Sequence, residues 1–217
     1  MPASKRADKY GPPNKVLLVE GADDQHMVWN LLESHGIDQG LRVVDSEGYQ
    51  NIRSGLDTRI KLGNQTHLGI IVDADADFQG RWQSIRDVII RSDYKNVPAL
   101  PDADGTILQE GSKPTIGIWI MPDNKSHGML EDFARLLLPP EDLLWQRATA
   151  AVAAIPVEER LFLDIHDSKA RIHTWLAWQK EPGKPIGQAI KIGYLDGKTD
   201  VAQRLVNWLK LLFDLRS

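Results

Sequence analysis

The stretch Leu68–Asp77, LGIIVDADAD, runs an apolar, strand-like segment (Ile70, Ile71, Val72) straight into three aspartates at alternate positions. In an extended backbone, residues i, i+2 and i+4 face the same way, roughly 6.5 to 7 Å from one to the next. Asp73, Asp75 and Asp77 would then share one face. Two carboxylates about 6 Å apart repel by roughly 3 kcal/mol at an effective dielectric near 20, and by about 0.7 kcal/mol in bulk water. Such a triplet calls for full solvation, as an acidic turn at a strand end, or for a cation.

Working outward, the neighbouring segments alternate between strand and helix patterns. KVLLVEG (15–21) reads as a short buried strand. DDQHMVWNLLESHG places Met27, Val28, Leu31 and Leu32 at helical spacing and stops at Gly36. LRVVDSEG is a second strand, and YQNIRSGLDTRIKLG a helix with Ile52, Leu56 and Ile60 four residues apart. HLGIIVDADAD is the third strand, followed by a helix carrying Trp82, Ile85, Val88 and Ile89 on one face. This βαβαβα order predicts an α/β fold: a mostly parallel, Rossmann-like sheet flanked by helices. TILQEGSKPTIGIWIMP suggests a hairpin, with Ile116–Met121 as a further buried strand.

From Gly128 onward the pattern is helical, in MLEDFARLLL, EDLLWQRATAAVAAI, KARIHTWLAWQ and VAQRLVNWLKLLFDL. In the last of these, Val201, Leu205, Trp208, Leu209 and Leu212 form a stripe at helical spacing, expected to face the core. Residues 1–13, polar, basic and ending in Gly-Pro-Pro, read as a flexible tail. The remaining residues, 14–217, are expected to form a single domain, with a sheet core over 15–122 and a helical part over 128–217.

Composition narrows the function classes. With 42% hydrophobic and 26% charged residues, the 217-residue chain has the make-up of a water-soluble globular protein. It contains no cysteine, which excludes disulfides, cysteine-ligated zinc and thiol catalysis. No apolar run approaches the roughly 18 residues of a membrane span, and the first residues lack a secretory pattern. The expected location is the cytoplasm, with no membrane partner. The net charge of −4 is unevenly spread. Residues 1–15 carry +3 and residues 165–217 carry +4, which leaves −11 for the middle. An acidic centre with mildly basic ends is compatible with a metal site flanked by phosphate contacts, and does not indicate tight autonomous binding to nucleic acid.

In open α/β sheets, sites form outside the carboxyl ends of the strands. The first strand ends at Glu20-Gly21 and the third at Asp73-Ala74-Asp75. If these strands are neighbours, three carboxylates meet at one rim, an oxygen donor set suited to Mg²⁺ or Mn²⁺. A calcium EF-hand is ruled out, because Phe78 replaces the loop glycine and Ser84 the closing glutamate.

A hydrophobic strand into Glu20-Gly21-x-x-Asp24 at a helix start, followed about fifty residues later by a strand into Asp73-x-Asp75, resembles the Toprim domain. The resemblance covers roughly residues 15 to 90. IGIWIMPDNKSHGMLEDF and KARIHTWLAWQKEPGKPIGQAI look like Toprim-like proteins akin to the OLD-type nucleases. The resemblance implies that Glu20 is a metal ligand or general acid/base, that Asp73 and Asp75 bind Mg²⁺, and that Asp24 supports them. It further implies a nucleic-acid substrate, DNA in preference to RNA. No tyrosine can be assigned as a topoisomerase nucleophile and the zinc-binding cysteines of primases are missing, so neither activity is expected.

Other candidates lie outside that core. Asp77 extends the acidic run. Glu131, in SHGMLEDF, falls in the first turn of an expected helix, where the helix dipole favours a carboxylate that could reach a second metal; the adjacent Asp132 is equally placed. His127 lies in the loop DNKSHG, with a phosphate contact or an ordinary loop residue as its two readings. Lys169 and Arg171 share a helix with His173, near Trp175 and Trp178, either as a solvated basic face or as a DNA backbone contact, the tryptophans being expected in the core. His26, His35 and His67 have no ligand-like spacing.

Three functions remain in play. The first is a Mg²⁺- or Mn²⁺-dependent nuclease. The second is a non-catalytic Toprim-like module that binds nucleic acid or nucleotide. The third is a haloacid-dehalogenase-like phosphatase, disfavoured because its Asp-x-Asp belongs on the first strand and Glu20 would be left without a role. The chain has no GxxxxGK[ST] motif, so any ATPase must be a separate partner. Self-association is a further possible partnership.

Overall fold

The computed structural model describes residues 12–37 and 40–216. The expected N-terminal tail, but for its last two residues, lies outside them. The first three strands, β1 (Lys15–Val19), β2 (Arg42–Asp45) and β3 (His67–Asp73), alternate with α1 (Ala22–Ser34), α2 (Tyr49–Leu62) and α3 (Phe78–Arg91). The hairpin of β4 (Thr106–Leu108) and β5 (Thr115–Met121) follows. The sheet order is β2-β1-β3-β5-β4, with β4 alone antiparallel. The α/β architecture with a mostly parallel sheet is therefore present, and β1 and β3 are direct neighbours.

Parallel strands covered on both faces need apolar side chains at successive positions. Val16, Leu18, Leu68, Ile70 and Val72 point to one side, against Ile52 and Leu56 of α2 and Trp82, Ile85 and Ile89 of α3. Leu17, Val19, Ile71, Trp119 and Met121 point to the other, against α1 and the C-terminal helices. Those helices are α4 (Leu130–Leu136), α5 (Leu143–Ala153), α6 (Asp167–Ala177), α7 (Ile186–Lys191) and α8 (Asp200–Phe213). Among the described residues, no helix is long and apolar enough to cross a membrane.

The stripe on α8 is core, as its spacing predicts: Val201, Leu205, Trp208, Leu209 and Leu212 are all buried. Its seat is made by two glycines. Gly69 of β3 and Gly117 of β5 are paired in register. A Cβ on Gly117 would lie 2.2 Å from Leu212 Cδ2 and 2.9 Å from Trp208 Cζ2; one on Gly69 would lie 2.8 Å from Phe213 Cζ. The bare backbone thus lets α8 sink onto the sheet. Gly117→Ala is expected to cost about 1–3 kcal/mol through overpacking, read as a lower urea midpoint at an unchanged slope.

Two expectations need correction, and one helix, α7, lies outside the expected segments. The aspartates 73, 75 and 77 do not form one extended face. The strand stops at Asp73, and Asp75 takes a left-handed conformation (φ 51°). Trp178 is exposed rather than buried, because α6 ends at Ala177 and carries it past the last packed turn. The six-residue α7 has too few residues to show a periodicity. It is held by close approach instead, with Gly187 so near the His26 carbonyl that a Cβ would lie 2.7 Å from that oxygen.

Candidate functional site

The carboxyl ends of β1 and β3 bring Glu20 and Asp73 together: the Asp73 backbone N–H donates to Glu20 Oε1 at 2.9 Å. Asp24 comes from the first turn of α1. It is buried, and its Oδ2 accepts the Gly21 N–H at 3.1 Å. The fourth carboxylate arrives from the far side of the chain. Beyond β5 the backbone folds into a tight loop in which buried Asn124 accepts the Ile120 N–H at 2.7 Å, while Asp123 accepts those of Lys125 and Ser126. Gly128 and Asp75 then exchange two backbone hydrogen bonds of 2.9 Å, a one-residue antiparallel bridge. Gly128 has φ 133°, and a Cβ there would lie 2.6 Å from Asp132 Oδ2. Only glycine fits both constraints. This clasp sets the start of α4 against the rim and buries Glu131.

Of the two adjacent acids on α4, the structure separates the roles. Asp132 caps the start of α4, its Oδ2 accepting the Met129 N–H at 2.8 Å and the Ser168 hydroxyl at 3.2 Å. Glu131 has no such task, and its Oε1 meets Lys169 Nζ at 3.1 Å. Lys169 therefore sits on the acidic cluster itself rather than on a separate basic face. Arg171 is held on its own helix by Asp167. Asp77 caps α3, accepting the Gly80 N–H at 2.9 Å, and His127 Nδ1 accepts the Phe78 N–H at 3.3 Å. Both thereby serve the start of α3. His35, as a non-ligand, is satisfied by the Gly197 carbonyl at 2.7 Å.

Burial and mutual crowding raise the proton affinities of Asp73, Asp24 and Glu20. Burial, then the charges of Asp24, Glu20, Glu131 and Asp75, push Asp73 up to about 9. Burial and the neighbouring Glu20 push Asp24 up to about 7. Glu20 is also raised, by burial above all, against the lowering effect of the Asp73 N–H and of Arg81. Burial lowers the proton affinity of Lys169, but the charge and hydrogen bond of Glu131 outweigh it and the net shift is upward. Asp73 Oδ1 is buried with no hydrogen-bond partner. A buried carboxylate oxygen without a donor costs on the order of 1–3 kcal/mol, more if charged. Of the five carboxylates, those of Glu20, Asp24, Asp73, Asp75 and Glu131, Asp75 is paired with Arg81 and Glu131 with Lys169.

Hard oxygen donors, an orphaned oxygen and excess negative charge fit a divalent cation chemically. The side chains are nevertheless turned to other partners. Asp75 is ion-paired with Arg81, Glu131 with Lys169, and Glu20 faces the Asp73 N–H. In keeping with this, among the described residues no three carboxylates or imidazoles converge at metal-ligand distance. Glu20, Asp73 and Asp75, with Glu131 and Asp24 behind them, are the residues that would hold the ion.

Arg81 and Tyr49 escaped the sequence reading. The guanidinium of Arg81 lies 3.6 Å above the Tyr49 ring and contacts Asp75. The available signal was positional: each stands in the first turn of a helix that follows a parallel strand, which places it at the same rim.

A family model described as Protein of unknown function (DUF3226) matches residues 14–214 of the chain. None of the curated proteins and none of the solved structures compared with it matches.

Proposed function

The chain belongs to the DUF3226 family, and for this member we propose a divalent-cation-dependent phosphodiesterase activity on nucleic acid, of the Toprim type. The observation that carries it is Asp73, at the end of the central strand with a buried, unpartnered oxygen, among four further carboxylates. Bound Mg²⁺ or Mn²⁺ would supply charge stabilisation at the phosphate and a more acidic water. Glu20 has the features of a general acid/base: it reaches the rim, and burial raises its proton affinity above the ordinary carboxylate value. Asp24 and Glu131 keep the local potential negative, and Lys169 holds Glu131 in place. The acidic centre gives the phosphate backbone little electrostatic hold. A separate ATPase or a second copy of the chain is the proposed means of retaining DNA.

A second reading, a non-catalytic nucleic-acid or nucleotide-binding module, is favoured by one contact. The Lys169 ammonium, 3.1 Å from Glu131, would take a cation's place permanently. Supercoiled plasmid incubated with Mn²⁺, Mg²⁺ or EDTA separates the two. The nuclease reading expects slow nicking with Mn²⁺ or Mg²⁺, none in EDTA, and a loss of about 10²–10⁴-fold in Glu20→Gln. Cleavage that persists in EDTA would falsify the mechanism. Inactivity on DNA and RNA alike, in a protein that still folds, favours the binding module.

A further inference from the structure

Beside the acidic cluster lies an open cleft of about 650 Å³, walled by the first turns of α2 and α3, the turn between β3 and α3, and Ile165 from across it. Its floor holds Tyr49 and Arg81, stacked at 3.6 Å. The Arg81 side chain is only 11% exposed and is ion-paired with Asp75. The Tyr49 hydroxyl is buried with no hydrogen-bond partner. The start of α2, at Gly48, has no side-chain cap and no acidic residue in its first turn, so its positive dipole end is left toward the cleft, whereas the start of α3 is capped by Asp77. A planar guanidinium, an aromatic ring, an apolar wall and one uncapped helix end suit one ligand class. That class is a phosphate ester carrying a flat, stackable base.

We propose that this cleft is the subsite for the nucleotide next to the scissile phosphate, with Arg81 as its phosphate contact and Asp75 as the group that governs it. The proposal rests on the metal-dependent reading above and adds to it the place and the residue that hold the substrate. Asp75 cannot neutralise Arg81 and ligate a cation with the same oxygens. Without a cation, Asp75 and Arg81 satisfy each other and the cleft, which Glu47 and Asp77 also line, presents no free positive charge. Once Asp75 turns to the acidic cluster, Arg81 regains its donors for a phosphate, held in place by the Tyr49 ring. Nucleotide binding therefore requires the cation, and the cation competes with Arg81 for Asp75.

The probe is the dinucleotide pdTpdT, titrated calorimetrically with and without Mn²⁺, alongside Mn²⁺ titrated alone. Wild type should bind pdTpdT at least tenfold more tightly with Mn²⁺ than without. Arg81→Met, which keeps the side chain's length and its contact with Tyr49, should lose that affinity at least tenfold yet bind Mn²⁺ more tightly, because Asp75 is freed. Tyr49→Leu should weaken pdTpdT and leave Mn²⁺ unchanged. Equal pdTpdT affinity in wild type and Arg81→Met overturns the subsite. So does Mn²⁺ affinity that falls in Arg81→Met. If wild type binds Mn²⁺ but pdTpdT binds without regard to it, the subsite fails while the metal reading stands. If wild type binds no Mn²⁺, it is the metal reading that fails, and the subsite with it.

Discussion

Asp73→Asn is expected to stabilise the metal-free protein and to abolish its stabilisation by Mn²⁺, two effects of opposite sign from one substitution. The Asp73 carboxyl titrates at 3.8 in the unfolded chain and is pushed up to about 9 in the fold. The folded state thus binds the proton more tightly. The stability this contributes is fully present below pH 3.8 and is lost as pH rises toward about 9. Asp24, pushed up to about 7, adds to the loss over the lower part of that window. An isolated shift of this size would correspond to about 4 kcal/mol near pH 7, at 1.36 kcal/mol per pH unit. Because these carboxylates titrate as a group, the gain expected for Asp73→Asn is about 2–3 kcal/mol, or roughly 5–10 °C in melting temperature.

With Mn²⁺ at a hundredfold excess over its dissociation constant, wild type should gain about 2.7 kcal/mol, and Asp73→Asn nothing. Thermal melts from pH 4 to 9, with Mn²⁺ or EDTA, measure both effects. Stability of the EDTA-treated wild type that rises with pH across this window would contradict the buried acidic cluster. An equal Mn²⁺ shift in both proteins would remove Asp73 from the ligand set.

The second large effect concerns Trp208. Its side chain is fully buried, packs against the Trp119 ring at 5.9 Å, and its Nε1 donates to the Thr106 carbonyl at 3.4 Å. It also covers Gly105 and Gly117, where no Cβ would fit beneath it. Trp208→Ala should cost about 3–5 kcal/mol by leaving a cavity between α8 and the sheet. That is a large part of the 5–15 kcal/mol typical of a folded domain. Trp208→Phe, which retains most of the volume, should cost clearly less. A loss below about 1 kcal/mol for Trp208→Ala in urea titrations would mean that α8 does not lock the β4–β5 edge.

The sequence determined the layers of this protein because burial writes itself in periodicity. Strand 67–73, covered on both faces, has to be apolar at successive positions, and the stripe on 200–213 recurs at helical spacing because one side of α8 meets the sheet. The rim residues Glu20, Asp73 and Asp75 were legible for the same reason: parallel strands end at a common edge. What depends on contacts between distant segments left no periodic trace. Tertiary structure alone turned the chain at Asp75, through its bridge to Gly128, and so broke the expected row of three aspartates. The same bridge assigned Glu131 to the cluster and Asp132 to the helix cap, two adjacent acids that no spacing rule distinguishes. It also gave Lys169 to Glu131 and Arg81 to Asp75, because a buried charge takes whichever opposite charge the fold brings within reach.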